Sequence, residues 1–234
     1  MNYPIRINHY LSEKGYCSRR EADKLIRQGL VRINGRKARL GDKVDARDTV
    51  EINQNIAQKI AHDRAYFAFC KPKGLATQDI AEKYKLARRG GGFKRVFPIG
   101  RLDKDSHGLL ILTNDGRITD KLLNPDFEHD KEYVVRVDKP LRPFFLRHME
   151  QGINIEGYAT RPAKVRKVSD ATFQITLTEG KHHQIRRMCA AFDYAVRDLK
   201  RVRIMNINLG SLKSGASREI KDEELATFLK NLNI

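Results

Sequence analysis

The chain has 234 residues, 40% hydrophobic and 32% charged, enough for one large or two small domains with their own cores. No apolar stretch approaches the ~20 residues that span a bilayer, and Met1-Asn2-Tyr3-Pro4-Ile5-Arg6 lacks the apolar run of a signal peptide, so a cytoplasmic protein without membrane contact is expected. Forty-six Lys and Arg against 29 Asp and Glu leave a net charge of +17, which points to a phosphate polyanion as partner; no lipidation motif or clearly amphipathic basic helix supports an acidic membrane instead.

In chain order, Ile7, Tyr10 and Leu11 are spaced for a short helix that Gly15 ends. Ser18 opens a second helix, with Glu21 three residues on as a capping box. Ala22, Leu25 and Ile26 form its apolar side, Arg19, Arg20, Lys24 and Arg27 charge it, and Gly29 stops it. Val31-Arg32-Ile33 alternates as a strand, Asn34-Gly35 is a hairpin turn, and Val44 and Val50-Glu51-Ile52 add further strand. Two helices ahead of a small sheet, with arginines clustered on the second helix, resemble the S4 RNA-binding domain. The resemblance lies in Arg6-Ile7-Asn8, in Cys17-Ser18-Arg19-Arg20-Glu21-Ala22-Asp23, and in Gly29-Leu30-Val31-Arg32-Ile33-Asn34-Gly35. It makes the basic helix an RNA-contacting surface rather than only a solvated one. Phosphate contact of this kind gives affinity with little sequence information. The unit is expected over residues 1–54, and residues 55–64 follow as a polar linker that leaves two units able to reorient on RNA.

Tyr66-Phe67-Ala68-Phe69-Cys70 reads as a strand, broken by the turn Lys71-Pro72-Lys73-Gly74. The stretch Arg88 to Arg95, with Gly90-Gly91-Gly92 inside it, reads equally as a surface connection or as a loop ordered by RNA. Gly100-Arg101-Leu102-Asp103 is a glycine-bounded turn. The apolar run Leu109 to Leu112, closed by Thr113-Asn114-Asp115-Gly116, is a buried strand behind it. Arg101 and Asp103 therefore sit on a tight loop held by a rigid sheet. A helix runs through Ile118, Leu122 and Leu123, a strand over Lys131 to Val137, and a helix over Phe144 to Glu150 that Gly152 stops. Strands over Ala163 to Val168 and Phe173 to Leu177 flank a Ser169-Asp170 turn. Gly180 to Met188 leads into a helix, Leu199 to Leu209 adds strand, and Asp222 caps a last helix with Leu225, Phe228 and Leu229 inward. Strands outnumber helices and are joined by turns, so residues 65–234 are expected to form an α+β domain on a largely antiparallel mixed sheet.

Asp103 can serve as nucleophile or base. Tyr133 offers an aromatic face or simple core packing. Arg186-Arg187 reads as a phosphate clamp or a solvated helix start, and Asp105 as a turn carboxylate. His107 and His182-His183 are local variations able to alter loop contacts, the pair reading as RNA contact or plain surface. Cys17, Cys70 and Cys189 form no Cys-x-x-Cys pair, and His182-His183 has no thiol or carboxylate nearby at ligand spacing. Neither a disulfide frame nor a metal site is therefore expected.

Lys71-Pro72-x-Gly74, then Gly100-Arg101-Leu102-Asp103 with Ser106-x-Gly108-Leu109-Leu110-Ile111-Leu112-Thr113-Asn114-Asp115-Gly116, then Lys131-Glu132-Tyr133, then Gly180-x-x-x-Gln184-Ile185-Arg186-Arg187-Met188 stand in that order behind the S4-like unit. Together they resemble the pseudouridine synthases of the RsuA/RluF type over nearly the whole chain. Further similarity in Arg95 to Gly100 and Arg201 to Asn206 points to the RluF-like branch, which acts on 23S ribosomal RNA. The resemblance implies that Asp103 is the catalytic aspartate, that Tyr133 stacks on the target base, and that Arg186 pairs with the aspartate. Arg101 would displace the target nucleotide or fill its place. Gln184, Arg187 and Lys71, with Arg19, Arg20, Lys24 and Arg27 of the S4-like unit, would contact substrate. It implies no cofactor, no metal, and a monomer acting on ribosomal RNA, 23S favoured, with tRNA open as a second substrate. A uridine must leave its stack before its glycosidic bond is reachable, and an arginine keeps a buried carboxylate ionised. The rival reading is a non-catalytic S4-domain RNA-binding or ribosome-assembly factor, which has no need of Asp103, Tyr133 and Arg186 together.

Overall fold

The computed structural model of the protein describes residues 3–52, 64–80 and 96–234. The linker expected over 55–64, Arg64 apart, and the loop reading of 88–95 lie outside them. The N-terminal unit opens with β1 (Ile5–Arg6), α1 (Ile7–Glu13) and α2 (Arg19–Arg27). The capping box forms: the Glu21 N–H donates to Ser18 Oγ at 3.3 Å, and the Ser18 N–H donates to the Glu21 carboxylate at 2.8 Å. β2 (Val31–Ile33) turns into β3 (Arg36–Lys37) through Asn34 and Gly35, both at positive φ as a two-residue hairpin demands. β4 (Lys43–Val44) pairs with β1, and β5 (Val50–Ile52) pairs with β2. Leu11, Ala22, Leu25, Ile26, Val31 and Ile33 bury together, which leaves Arg19, Arg20, Lys24 and Arg27 exposed on the other side of α2.

The second unit is built on a nine-stranded sheet. Its strands are β6 (Tyr66–Lys71), β7 (Phe97–Ile99), β8 (His107–Thr113), β9 (Lys131–Val137), then, beyond a separate hairpin of β10 (Asn154–Ile155) and β11 (Tyr158–Ala159), β12 (Lys164–Ser169), β13 (Thr172–Leu177), β14 (Val196–Ile204), β15 (Ile207–Asn208) and β16 (Ser217–Glu219). The order across the sheet is β12-β13-β9-β14-β8-β6-β16, with β15 on β14 and β7 on β8. Only β14 and β8 run parallel, so the mixed, largely antiparallel sheet matches the expectation. Helices α3 (Ile118–Leu123) and α6 (Asp222–Asn231) pack on one cluster with Leu109 and Ile111, whereas α4 (Pro143–Gln151) and α5 (Gln184–Ala190) pack on another with Val135, Phe173 and Leu199. Leu109 to Leu112 are buried on both faces of the sheet, each contributing roughly 1.5–3 kcal/mol. The Asp103 loop thus leads straight into a firmly held strand.

Two expected elements differ. The strand over Leu199 to Leu209 is a hairpin instead: β14 ends at Ile204, and Met205, at φ 51°, turns the chain back into β15. Asp222 does not cap the last helix; Lys221 holds that position without a side-chain cap, and Asp222 itself lies at φ 51°. Phe228 is buried as expected, with Leu225 and Leu229 packed beside it. Cys17 and Cys189 are core side chains whose thiols burial pushes up to about 12. Among the described residues no helix is long and apolar enough to cross a membrane.

Candidate active site

Leu102 is buried between two outward-facing neighbours, the exposed Arg101 and the half-buried Asp103. Thr77, on a short 3-10 turn (Thr77–Asp79), locks it: the Thr77 hydroxyl donates to Leu102 O at 2.8 Å and accepts from the Leu102 N–H at 3.0 Å. The Ser106 N–H donates to Asp103 O at 3.1 Å and closes the turn. Beneath it the Gly74 N–H donates to Lys104 O at 2.8 Å. Lys71 is fully buried and its ammonium donates to Pro72 O at 3.0 Å, Leu75 O at 2.5 Å and Lys104 O at 3.4 Å. The expectation that Lys71 contacts substrate is therefore corrected: three carbonyls already hold it under the loop. Burial lowers its pKa against the pull of Asp103 and Asp105, and its amine lies under the Asp103 loop.

Asp103, Arg101, Lys131, Tyr133 and Arg201 line one cleft of about 2650 Å³ together with Arg19, Arg20 and Lys24 of α2. Arg27 and Arg187 are not on its wall. Arg27 lies in the last turn of α2, and Arg187 is tied to the β10–β11 hairpin, donating to Ile155 O at 3.2 Å and to Glu156 at 2.6 Å. The expected Asp103–Arg186 pair does not form here. The carboxylate faces His183 Nε2 at 3.5 Å, while Arg186 donates to Asp105 O at 3.3 Å, Ser106 Oγ at 3.4 Å and Val196 O at 3.5 Å. Arg186 thus buttresses the backbone of the aspartate loop instead of its carboxylate.

Gln184 is also turned inward. It accepts from the Lys181 N–H at 2.9 Å and donates to the buried Glu179 at 2.6 Å; Glu179 further accepts from the Tyr158 hydroxyl and from the Arg161 N–H at 3.1 Å. This network shapes the turn that presents His182 and His183. The fold overturns the spacing argument about these histidines, because it brings Asp103 to them, with potential ligand atoms within 4.8 Å of one another. Their rings are stacked with centroids 3.9 Å apart and planes 21° apart, so their in-plane lone pairs do not converge on one ion. His107 is bound across strands to Asp198 at 3.0 Å.

Thr77 and Glu179 lie outside the quoted motifs, and their ties to Leu102 and Arg161 join positions well apart in the chain. Lys131 was more accessible: two residues from Tyr133 on a strand, it must share that residue's face. Burial and the nearby Arg201 push the Lys131 ammonium down to about 8.

The two units touch through more than the linker. Arg117 donates to the Asp115 carboxylate at 2.9, 3.1 and 2.6 Å and to Gly15 O at 3.2 Å, and Arg64 donates to Tyr16 O at 3.2 Å. Asp115, wholly buried, also accepts from Tyr66 at 2.5 Å. A Cβ at Gly116 would stand 2.4 Å from Ser18 Cβ, the cap residue of α2. The Asn114-Asp115-Gly116 turn is therefore a docking point that sets the basic helix on the rim of the cleft.

Comparison with known proteins agrees with this arrangement. The RNA pseudouridylate synthase family matches residues 65–191, and the S4 domain matches residues 5–50. The chain is 45% identical to the dual-specificity RNA pseudouridine synthase RluF of Escherichia coli (strain K12) over 228 residues, covering 97% of this chain and 79% of that protein. It is 36% identical to the ribosomal large subunit pseudouridine synthase B of Bacillus subtilis (strain 168), covering 94% and 93%. A crystal structure of a pseudouridylate synthase superposes with a TM-score of 0.67 at 27% identity, over 97% of this chain and 99% of the other.

Proposed function

The chain belongs to the RNA pseudouridine synthase family, and we propose that within it the protein isomerises a uridine of 23S ribosomal RNA with Asp103 as the catalytic carboxylate. Its substrate is RNA, and an S4 RNA-binding domain precedes the synthase domain. The observation that carries the site assignment is the shared cleft: Asp103 on its loop, Tyr133 on β9, and the basic face of α2 at the rim. The 23S target is supported by similarity to RluF and to a large-subunit enzyme; the dual-specificity name of the former supports tRNA as a second RNA to test.

In this reading Arg19, Arg20 and Lys24 hold phosphates, and Arg101 occupies the space left by the extruded nucleotide. Tyr133 stacks on the uracil. Asp103, with His183 Nε2 3.5 Å from its carboxylate and the buried Lys71 beneath its loop, either attacks C1′ of the ribose or removes the 2′ proton; the geometry serves both routes. The freed uracil turns and rejoins the sugar through C5. Arg186 acts as a positioning residue through Asp105 and Ser106. The test is to incubate the protein with unmodified 23S, 16S and tRNA transcripts and map pseudouridine at nucleotide resolution. A single new position in 23S RNA is expected, and modification confined to another RNA would refute the assignment of target.

A further inference from the structure

β14 lays Arg201 directly opposite Tyr133 of β9, and directly opposite side chains of an antiparallel pair share a face, with Cβ atoms about 4.5–5.5 Å apart. Lys131, two residues before Tyr133, lies on that face as well. On its other side Arg201 pairs with Gly108 of β8, and the fit is too close for any side chain there: a Cβ would stand 2.2 Å from Arg201 O. Arg201 is only 4% exposed. Its Nε donates to Leu109 O at 2.7 Å, while Nη2 is buried without a hydrogen-bond partner. A buried cationic N–H left without an acceptor is costly and calls for an explanation. Among the described residues no carboxylate ion-pairs with Arg201 or Lys131, and Arg201 disfavours the charge of Lys131. The face of the sheet that carries Tyr133 into the cleft therefore holds two neighbouring cations and one unused donor, an arrangement suited to an anion that exists only during reaction.

We propose that Arg201 is a catalytic residue. The entering uracil, stacked on Tyr133, uncovers the Arg201 Nη2–H, which then donates to one of its carbonyl oxygens and stabilises the negative charge that develops there as the glycosidic bond breaks. This rests on the synthase reading given above. When C1′–N1 cleaves, the bonding pair stays with the uracil and spreads over N1, O2 and O4. C1′ is meanwhile satisfied by the Asp103 carboxylate, or by the C1′–C2′ double bond left when the 2′ proton is removed. After the base turns, C5 supplies the electron pair that bonds to C1′ as the Asp103–C1′ bond breaks or, on the other route, as C2′ takes its proton back; the C5 proton leaves and N1 takes up a proton, so the sum is an isomerisation. A donor fixed in a dry wall before the reaction favours the charged state over the neutral base, which is what lowers a barrier.

The test uses the full chain in single turnover on a transcript carrying uridine or 5-fluorouridine at the position that the wild-type protein modifies. Loss of the parent nucleoside is read by mass spectrometry of nuclease digests. Fluorine at C5 makes the departing uracil a more stable anion, so it needs less help from the protein. Arg201→Gln should slow loss of uridine roughly 10²–10³-fold, leave the Kd for RNA unchanged, and show a several-fold smaller deficit on 5-fluorouridine. Arg201→Lys, which keeps the charge, should lose less and show the same narrowing. Should the glutamine variant fail a thermal-melting check, the lysine variant decides by the same comparison. Equal deficits on the two RNAs, or no deficit on uridine, would overturn the proposal. If wild-type protein formed no pseudouridine on any RNA, the synthase reading itself would fall, and that result is distinguishable because it appears before any variant is made.

Discussion

Arg117→Ala removes the central strut between the S4 unit and the catalytic domain. The wholly buried Asp115 carboxylate then keeps the Tyr66 hydroxyl at 2.5 Å, the backbone N–H of position 117 at 3.1 Å and the Arg64 guanidinium at 3.7 Å, and Gly15 O loses its donor from Arg117. Arg117 itself is only 12% exposed in its side chain, so this is a buried pair, and removing one partner of such a pair costs about 3–5 kcal/mol because the other charge is stranded. The pH dependence is more diagnostic. In the wild-type protein burial would raise the Asp115 pKa, but hydrogen bonds from Arg117 and Tyr66 more than offset this and hold it below the ordinary 3.8. A depressed carboxylate contributes stability that is present above the unfolded pKa and is lost as pH falls through the folded one. Without Arg117 burial dominates, the folded pKa rises above the unfolded value, and the sign inverts: the variant recovers stability as acid protonates the stranded group. Urea unfolding of both proteins should therefore show a difference that is largest near neutrality and shrinks towards the ordinary carboxylate pKa of 3.8. Asp115→Asn in the Arg117→Ala background should restore part of the loss. A difference that is flat with pH, or no larger than the ~0–1 kcal/mol of a surface pair, would refute the reasoning.

Gly108→Ala would force a side chain into φ +101° and against Arg201 O, costing at least ~1–3 kcal/mol for the backbone alone; thermal melting should drop and turnover fall with it, and a melt equal to wild type would show that the strands spread freely. Glu179→Gln places a donor among three donors, so a loss of roughly 1–3 kcal/mol is expected; single-turnover rates should fall as the 181–184 turn loosens, and destabilisation without any rate change would remove Gln184 and Glu179 from the positioning of the site. Burial and Arg201 push Lys131 down to about 8, so its charge is lost as pH rises through that value. Lys131→Arg should keep its charge and extend the active range upward, whereas coincident pH profiles would mean that the charge at 131 plays no part.

The local rules served the sequence well wherever one residue decides a conformation. Ser18 with Glu21 formed the cap, Asn34-Gly35 the hairpin and Gly152 the helix stop, because each choice is settled within a few bonds. Leu199 to Leu209 misled because a non-glycine residue, Met205, adopts the left-handed turn, and no residue preference announces that. The ordered motifs pointed to Asp103 and Tyr133, which the fold brings to one cleft. The roles of Lys71, Gln184 and Arg186 were not legible, since motif membership does not say whether a polar side chain faces substrate or supports the loop that does. His182 and His183 make the same point in reverse: their carboxylate neighbour, Asp103, lies far away in the chain and beside them only in the fold. Arg201 belonged to a quoted stretch, but its unused donor becomes visible only once the strand register places it opposite Tyr133.

The central claim is that Asp103, in a cleft shared with a basic S4 helix, carries out the isomerisation. The most direct test compares wild-type protein and Asp103→Asn on 23S transcripts labelled with tritium at uridine C5, measuring both RNA retention on a filter and tritium release under single turnover. Equal retention, with release by the wild type and none above background by the variant, is the predicted result. Release by Asp103→Asn at a rate near that of wild type would contradict the claim and move the chemistry to another residue.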